Sequence, residues 1–90
     1  MTEIEIRDTV LKVLGGIAPE ADLSRLRPQS RLRDQLDIDS MDFLNFVIGL
    51  HQELHVEIPE RDYDRLATLA GCVDYLSAAV RSREGQPGAA

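Results

Sequence analysis

The sequence contains no tryptophan and few other aromatic residues. Two phenylalanines and two tyrosines occur among its 90 residues, so a core must be built mainly from leucine, isoleucine and valine. A chain of this length fits a single domain, which has little surface to spare for a complete catalytic pocket. With 43% hydrophobic and 29% charged residues, the composition favours a soluble globular fold over a disordered chain.

Cysteine is nearly absent as well. Cys72 is the only one, which excludes an internal disulfide, and its place on an apolar helix face favours a buried, inert thiol. No apolar run is long enough to span a membrane, and the charges between Glu3 and Asp8 interrupt the pattern of a signal peptide. These features predict a cytoplasmic protein that has no membrane partner.

Basic residues are outnumbered. Ten lysines and arginines stand against sixteen aspartates and glutamates, which gives a formal net charge of −6. An acidic domain repels nucleic-acid phosphates and anionic lipid surfaces. The charge therefore excludes nucleic acid as an expected partner and favours a protein with a basic docking surface.

The first part of the chain predicts one helix followed by a long connection. Thr2 and Glu5 have the spacing of a capping box, apolar residues then recur at helical steps, and glycines at 15 and 16 predict the end of the helix. Residues 16–39 contain Pro19 and Pro28, which oppose a continuous helix, although a short helical turn near 21–26 fits the pattern. Spaced leucines predict that this connection is ordered against a core.

The second part predicts two longer helices and one short one. Residues 40–54 form the strongest helical pattern, a short piece follows from Pro59 to about Arg65, and Thr68 is the expected N-cap of a last helix that reaches about Val80. One face of that last helix is apolar and is predicted to face the core: Leu69, Cys72, Val73, Leu76 and Val80. Residues 81–90 are polar and small, and we expect a disordered tail. The predicted domain is therefore 1–80.

The helix at 40–54 has two apolar stripes. One side carries a core face, which consists of Phe43, Phe46, Val47, Leu50 and Leu54. Met41, Leu44 and Ile48 form a second stripe beside it, which is either an extension of the core face or an exposed strip for partner helices. Gly49 is expected on the remaining polar side.

Ser40 stands at the start of this helix, directly after Asp39. Taken alone, the pair is typical of an ordinary helix cap. A serine at a helix start also lies at the positive end of the helix dipole, where free backbone amides favour an anion. Nothing in the sequence places a base near Ser40, so no nucleophilic triad and no catalytic residues are assigned.

Histidines at positions 51 and 55 have the spacing of metal ligands on one helical face. No third ligand is evident, and we predict no metal site. The acidic residues Glu57, Glu60, Asp62 and Asp64 form either a solvated face or a docking surface for basic partner residues.

The stretch from Leu32 to Asp42 resembles the modification site of the acyl carrier protein family. Further along, Glu57-Ile58-Pro59-Glu60 is similar to an E-I-P-D/E segment of that family, and Thr68–Leu76 is similar to its last helix. The resemblance runs without gaps from Leu32 to Leu76. Two positions differ, because Gln35 replaces a usual acid and Asp37 replaces a usual glycine.

The resemblance implies an all-α fold, a four-helix bundle of acyl-carrier type with three longer helices, one short helix and a long first loop. It implies a non-enzymatic carrier in which Ser40, supported by Asp39, receives covalent 4'-phosphopantetheine from coenzyme A. A separate phosphopantetheinyl transferase adds the arm, and acyl-loading and acyl-processing enzymes use it. The expected docking residues of this monomeric carrier are Met41, Asp42, Leu44, Ile48, Glu57 and Glu60.

Departures from the family pattern predict a specialised carrier in a lipid or secondary-metabolite pathway. Asn45, His51 and Gln52 stand where carriers for fatty acid biosynthesis often have acids, and Phe43 is bulky where a small residue is common. Two alternatives stay open. One is an aminoacyl or peptidyl carrier, and the other is a helical protein-interaction module in which Ser40 is only an N-cap.

Overall fold

The computed structural model describes residues 1–84 and shows an all-helical fold, as predicted. Its α-helices are α1 (Glu3–Ile17), α2 (Leu32–Gln35), α3 (Ser40–Leu54) and α4 (Leu69–Glu84), and its 3₁₀ segments are Leu23–Arg25 and Glu60–Leu66. Within this part of the chain, the only β-type pairing is an isolated bridge between Arg31 and Thr68. The three longer helices and the short segment after α3 confirm the expected bundle. The single turn α2 was not predicted.

α1 begins where the sequence predicts and ends slightly later. The Thr2 hydroxyl accepts a hydrogen bond from the Glu5 N–H at 3.1 Å, and the Glu5 carboxylate accepts one from the Thr2 N–H at 2.7 Å. The helix passes the two glycines and ends at Ile17, with Ala18 as its C-cap. The expected stop at Gly15 was wrong, because no glycine among the described residues adopts a positive φ.

α4 continues past Val80 to Glu84, so the predicted start of the tail at residue 81 was too early. Arg83 explains the difference. Its guanidinium donates to the Leu54 carbonyl and, at 3.0 Å, to the His55 carbonyl, so the last turn of α4 has tertiary partners. These contacts also satisfy carbonyls at the C-terminus of α3. The rest of the predicted tail, residues 85–90, lies outside the described residues.

The core lies where α1 packs against both α3 and α4. Its centre consists of fully buried aliphatic residues and one phenylalanine from all three helices: Ile6, Val10, Leu14, Phe46, Leu50, Leu76 and Val80. The predicted core faces of α3 and α4 are confirmed, except that Phe43 is only half-buried. Gly49 is not on a solvent face, since a Cβ there would lie 2.6 Å from a Val13 methyl group. The glycine permits the close approach of α1 and α3.

The long connection before α3 is held against the core by buried side chains and by backbone hydrogen bonds. Leu32, Leu36 and Ile38 are buried. The Leu32 N–H donates to the Ala67 carbonyl at 2.8 Å, which ties the connection to the residues before α4. The ordered loop that the spaced leucines predict is therefore present.

The Gln35 side chain closes this loop on itself. Its amide nitrogen donates to the carbonyls of Arg27 and Ser30, at 2.9 and 3.0 Å, and its oxygen accepts from the Arg27 N–H at 2.7 Å. A carboxylate has no hydrogen to donate, so an acid here could not make the first two bonds. The departure from the family pattern at Gln35 thus has a structural role.

Cys72 is buried in α4, as predicted. Burial raises the pKa of its thiol to about 12, which keeps it protonated at neutral pH. Its Sγ lies 3.3 Å from the Leu66 carbonyl, to which the thiol donates. The group therefore packs as an inert side chain.

We predict that Gln35→Ala lowers the free energy of unfolding by about 1–3 kcal/mol, because three side-chain hydrogen bonds to the loop backbone are lost. Urea unfolding followed by circular dichroism measures the change. Gln29→Ala, in an exposed residue of the same loop, serves as the control and should stay within about 0.5 kcal/mol of the wild type. Equal effects of the two substitutions would contradict the role given to Gln35.

Candidate functional site

Ser40 is the first residue of α3, and its side chain is exposed. The residue before it sets this position. Asp39 is extended, with φ −101° and ψ −173°, and its carboxylate accepts a hydrogen bond from the Asp42 N–H at 2.8 Å. The Asp42 carboxylate in turn accepts from the Asp39 N–H at 3.1 Å. This capping box starts the helix at Ser40.

The residues before the cap alternate between the core and the surface. Leu36 and Ile38 are buried, whereas Asp37 and Asp39 are exposed. The buried pair anchors the chain on the core, so that the cap is presented at the surface. Asp37 does not have a positive φ, and a glycine is therefore not required at this position.

Arg33, which the sequence analysis did not assign to the site, reaches Ser40 from α2. Its Nη2 lies 3.4 Å from the Ser40 Oγ, to which it donates. The pKa of Asp39 is lowered, chiefly by the hydrogen bond from the Asp42 backbone, and the Arg33 charge contributes in the same direction. The sequence shows that Arg33 lies seven residues before the serine. Sequence spacing alone, however, does not show that α2 directs this side chain toward Ser40.

The second apolar stripe of α3 is exposed, which rules out its interpretation as an extension of the core face. Met41, Leu44 and Ile48 are 64%, 37% and 43% exposed. We call these three residues the apolar strip. It begins beside Ser40 and follows the helix away from it.

Glu57 and Glu60 are both exposed, and both lie outside α3. Glu57 follows the C-terminal end of α3, about 20 Å along the helix from Ser40. Glu60 begins the 3₁₀ segment that packs on α4. Asp42, the remaining acid of the predicted docking set, is half-buried within the capping box.

A groove of about 780 Å³ lies between the loop before α3 and the second 3₁₀ segment, and Arg33, which contacts Ser40, is part of its lining. Polar and apolar side chains line it together: Arg31, Arg33, Asp34, Ile38, Phe43, Tyr63, Asp64 and Ala67. The Phe43 ring centroid is 6.1 Å from that of Phe46 and 6.5 Å from that of Tyr63. Phe43 therefore fills the space between the core and the groove.

The two histidines belong to the C-terminal end of α3. His51 Nδ1 lies 2.8 Å from the Val56 carbonyl, so this nitrogen carries the proton in that contact. His55 is the C-cap in the left-handed conformation, with φ 55°. Residues 1–84 contain no group of three or more histidine, cysteine, aspartate or glutamate side chains that could hold a metal ion. The same residues include no helix that is long and apolar enough to cross a membrane.

Comparisons with known proteins match most of the chain. Residues 5–76 match the family model described as the phosphopantetheine attachment site. An acyl carrier protein from Chlorobium luteolum is 32% identical over 84% of this chain and 96% of its own length. One from Chlorobium phaeovibrioides is 30% identical with the same coverage. The solved structure of an acyl carrier protein from Enterococcus faecalis superposes with a TM-score of 0.74 at 26% identity, over 88% of this chain and 99% of that one.

We predict that Asp39→Ala lowers the urea midpoint at neutral pH and that its difference from the wild type narrows in acid. The folded-state pKa of Asp39 is depressed, so its stabilising effect is present above the unfolded pKa of about 3.9 and is lost as the pH falls through the folded value. Urea unfolding between about pH 7 and pH 2 measures this difference. A constant difference across that range would contradict the account.

Asp37→Ala is the matched control for Asp39→Ala. It removes an exposed carboxylate from the same loop, outside the capping box. We expect its midpoint to stay close to the wild-type value at neutral pH.

Proposed function

Because the chain belongs to the acyl carrier protein family, we propose that Ser40 is the residue that bears its covalent 4'-phosphopantetheine. When attached, the arm supplies a terminal thiol on which acyl groups are carried as thioesters. The observation that carries the proposal is the exposed Ser40 hydroxyl at the capped start of α3. A tethered arm raises the effective concentration of its cargo at the active site of a docked enzyme.

The residues around Ser40 fit the phosphodiester of the arm. The N-terminus of α3 is the positive end of the helix dipole, where an anion is stabilised. The Arg33 guanidinium, at 3.4 Å from Oγ, adds a full positive charge and several hydrogen-bond donors. The site therefore combines an accessible nucleophilic oxygen with groups that favour the product of its modification.

Other hydroxyl groups of the described chain suit this role less well. The Ser24 Oγ donates to Asp22 at 2.5 Å, and Thr68 accepts a bond from the Gly71 N–H within the first turn of α4. The Ser77 Oγ is buried. Ser82 is exposed but lies near the C-terminal end of α4, where the helix dipole disfavours an anion.

The modification needs no base from this chain. The Ser40 oxygen would form a bond to the phosphorus of coenzyme A that carries the pantetheine, and the bond from that phosphorus to the rest of the pyrophosphate would break. The nucleotide leaves with the second phosphate, and a base of the transferase accepts the serine proton. In this proposal Asp39 supports the reaction by placing Ser40 on the first turn, and the chain itself catalyses no reaction.

The proposed docking surface for partner enzymes is the apolar strip. It is exposed beside Ser40, where an enzyme must approach the arm. Glu57 and Glu60 belong to the proposal as outlying acidic contacts, and Asp42 as one at the start of α3. The partners are a phosphopantetheinyl transferase and the enzymes that load and process the acyl group.

The acids of α3 support a specialised set of partners. Asp42 is engaged in the capping box, and Glu53 pairs with Lys12 at 3.3 Å. These two are the only acids of α3, so docking would depend mainly on apolar contact. We propose a lipid or secondary-metabolite pathway other than general fatty acid biosynthesis, with an aminoacyl cargo as the alternative.

The proposal places the carrier in the cytoplasm as a monomer without nucleic-acid or membrane partners. The net charge of −6 supports the lack of nucleic-acid and membrane partners, because it repels phosphate-rich surfaces.

We predict that incubation with coenzyme A and a broad-specificity transferase adds the mass of one phosphopantetheine group to the wild-type protein. Ser40→Ala should show no gain, because the accepting oxygen is absent, whereas Ser82→Ala should gain as the wild type does. Intact-protein mass spectrometry measures the three masses. A gain that persists in Ser40→Ala would refute the assignment, and no gain in the wild type would favour an interaction module.

We also predict that Phe43 prevents burial of a long acyl chain. Replacing acetyl by octanoyl on the arm should leave the wild-type melting temperature nearly unchanged, because Phe43 fills the space beside Phe46 and Tyr63. In Phe43→Ala the same replacement should raise the melting temperature by about 4 °C or more. This is the shift expected when burial of the longer acyl chain adds about 1 kcal/mol of stability. Differential scanning calorimetry measures both.

Leu44→Ala is the control for Phe43→Ala, since it also shortens an apolar side chain of α3 but lies in the apolar strip. It should respond to octanoyl as the wild type does. A clear stabilisation of the wild type by octanoyl would show that Phe43 does not exclude the chain.

A further inference from the structure

We propose that Arg33 is a positioning residue that holds the phosphodiester of the arm against the start of α3. This inference rests on the proposed attachment to Ser40. It assigns a role to a residue of α2 that lies outside the attachment pair Asp39 and Ser40.

The geometry already brings the guanidinium to the bond that modification creates. Arg33 Nη2 donates to the Ser40 Oγ at 3.4 Å, a long hydrogen bond to a neutral hydroxyl. After modification that oxygen bridges to phosphorus, and the charged phosphate oxygens are bonded to the same phosphorus. The guanidinium then has anionic acceptors within reach, and a charge-assisted bond replaces the weak one.

The backbone beneath Arg33 is held in place. Leu32, its neighbour in α2, is fully buried, and the Leu32 N–H donates to the Ala67 carbonyl at 2.8 Å. Gln35 closes the other end of α2 through its bonds to Arg27 and Ser30. The side chain of Arg33 is exposed, but it starts from a rigid turn, so less conformational freedom is lost when it binds.

The charges around Ser40 favour a nearby cation. Exposed Asp37 and Asp39 precede the serine, and Asp42 follows it. A phosphodiester adds a further negative charge among these carboxylates, which opposes modification unless a positive group lies close. Arg33 already acts on Asp39, whose pKa its charge helps to lower. The same guanidinium is therefore placed to offset the charge of the phosphate.

The contact between Arg33 and Ser40 also determines on which side of Ser40 the arm begins. Arg33 lines the groove of about 780 Å³, whereas the apolar strip follows α3 away from Ser40. A phosphate held by Arg33 starts the arm at the edge of this groove and leaves the apolar strip accessible to a partner.

A thermodynamic cycle on the full chain tests the proposal. Melting temperatures are measured for the unmodified and modified forms of the wild type and of Arg33→Gln, each form verified by intact mass. The change in melting temperature on modification should be more favourable in the wild type than in Arg33→Gln by about 3 °C, because only the wild type retains the cation. Arg33→Lys keeps the charge without the planar fork and should lie between them.

Arg31→Gln is the matched control, because it removes another exposed arginine that lines the same groove. Its change in melting temperature on modification should equal that of the wild type.

As a second readout, the phosphorus-31 resonance of the modified wild type should differ from that of modified Arg33→Gln. About 1 M salt, which screens exposed charges, should reduce that difference.

The possible outcomes distinguish the role of Arg33 from the attachment of the arm to Ser40. If the wild type gains no mass, the proposed function fails and the cycle has no modified form to compare. If it gains mass, but the melting change and the phosphorus resonance are the same with and without Arg33, the arm is attached and Arg33 does not hold its phosphate. An equal effect of Arg31→Gln would show that general positive charge, rather than the Arg33 contact, is responsible.

Discussion

The reciprocal hydrogen bonds between Asp39 and Asp42 fix the residue at which α3 begins, and the site depends on that start. Because Asp39 is the cap, Ser40 becomes the first helical residue and its hydroxyl faces solvent. A start one residue earlier or later would rotate the side chain by about 100° around the helix. It would also move the serine relative to Arg33 and the apolar strip. The capping box thus both stabilises the start of α3 and sets the geometry of the proposed attachment site.

Both acids of α3 already have partners within the chain. Asp42 is occupied by the cap, and Glu53 is paired with Lys12 of α1. The exposed surface of α3 is therefore mainly apolar near Ser40. At the C-terminal end, His55 caps the helix and its carbonyl accepts a hydrogen bond from Arg83. In an acidic protein of net charge −6, long-range attraction of basic partners persists, but local specificity along α3 would come from apolar contact.

Features that depend on local sequence were predictable, and features that depend on tertiary contact were not. The capping box at Thr2 and Glu5 and the buried face of α4 follow from residue spacing. The extension of α4 needed Arg83 to reach the end of α3, and Gly49 faces α1 because Val13 packs closely there. The contact between Arg33 and Ser40 was not predictable for the same reason. α2 is a single turn, and its direction is set by the burial of Leu32 and Leu36.

The proposed attachment of the arm to Ser40 of the folded protein can be tested at the level of a single residue. The modified protein is digested with a protease, and its peptides are analysed by fragment-ion mass spectrometry. Phosphopantetheine is expected on the peptide that contains Asp39, Ser40 and Met41, with fragment ions that assign it to the serine. Its presence on a peptide with Ser24, Ser30 or Ser82, and its absence from Ser40, would refute the proposed attachment.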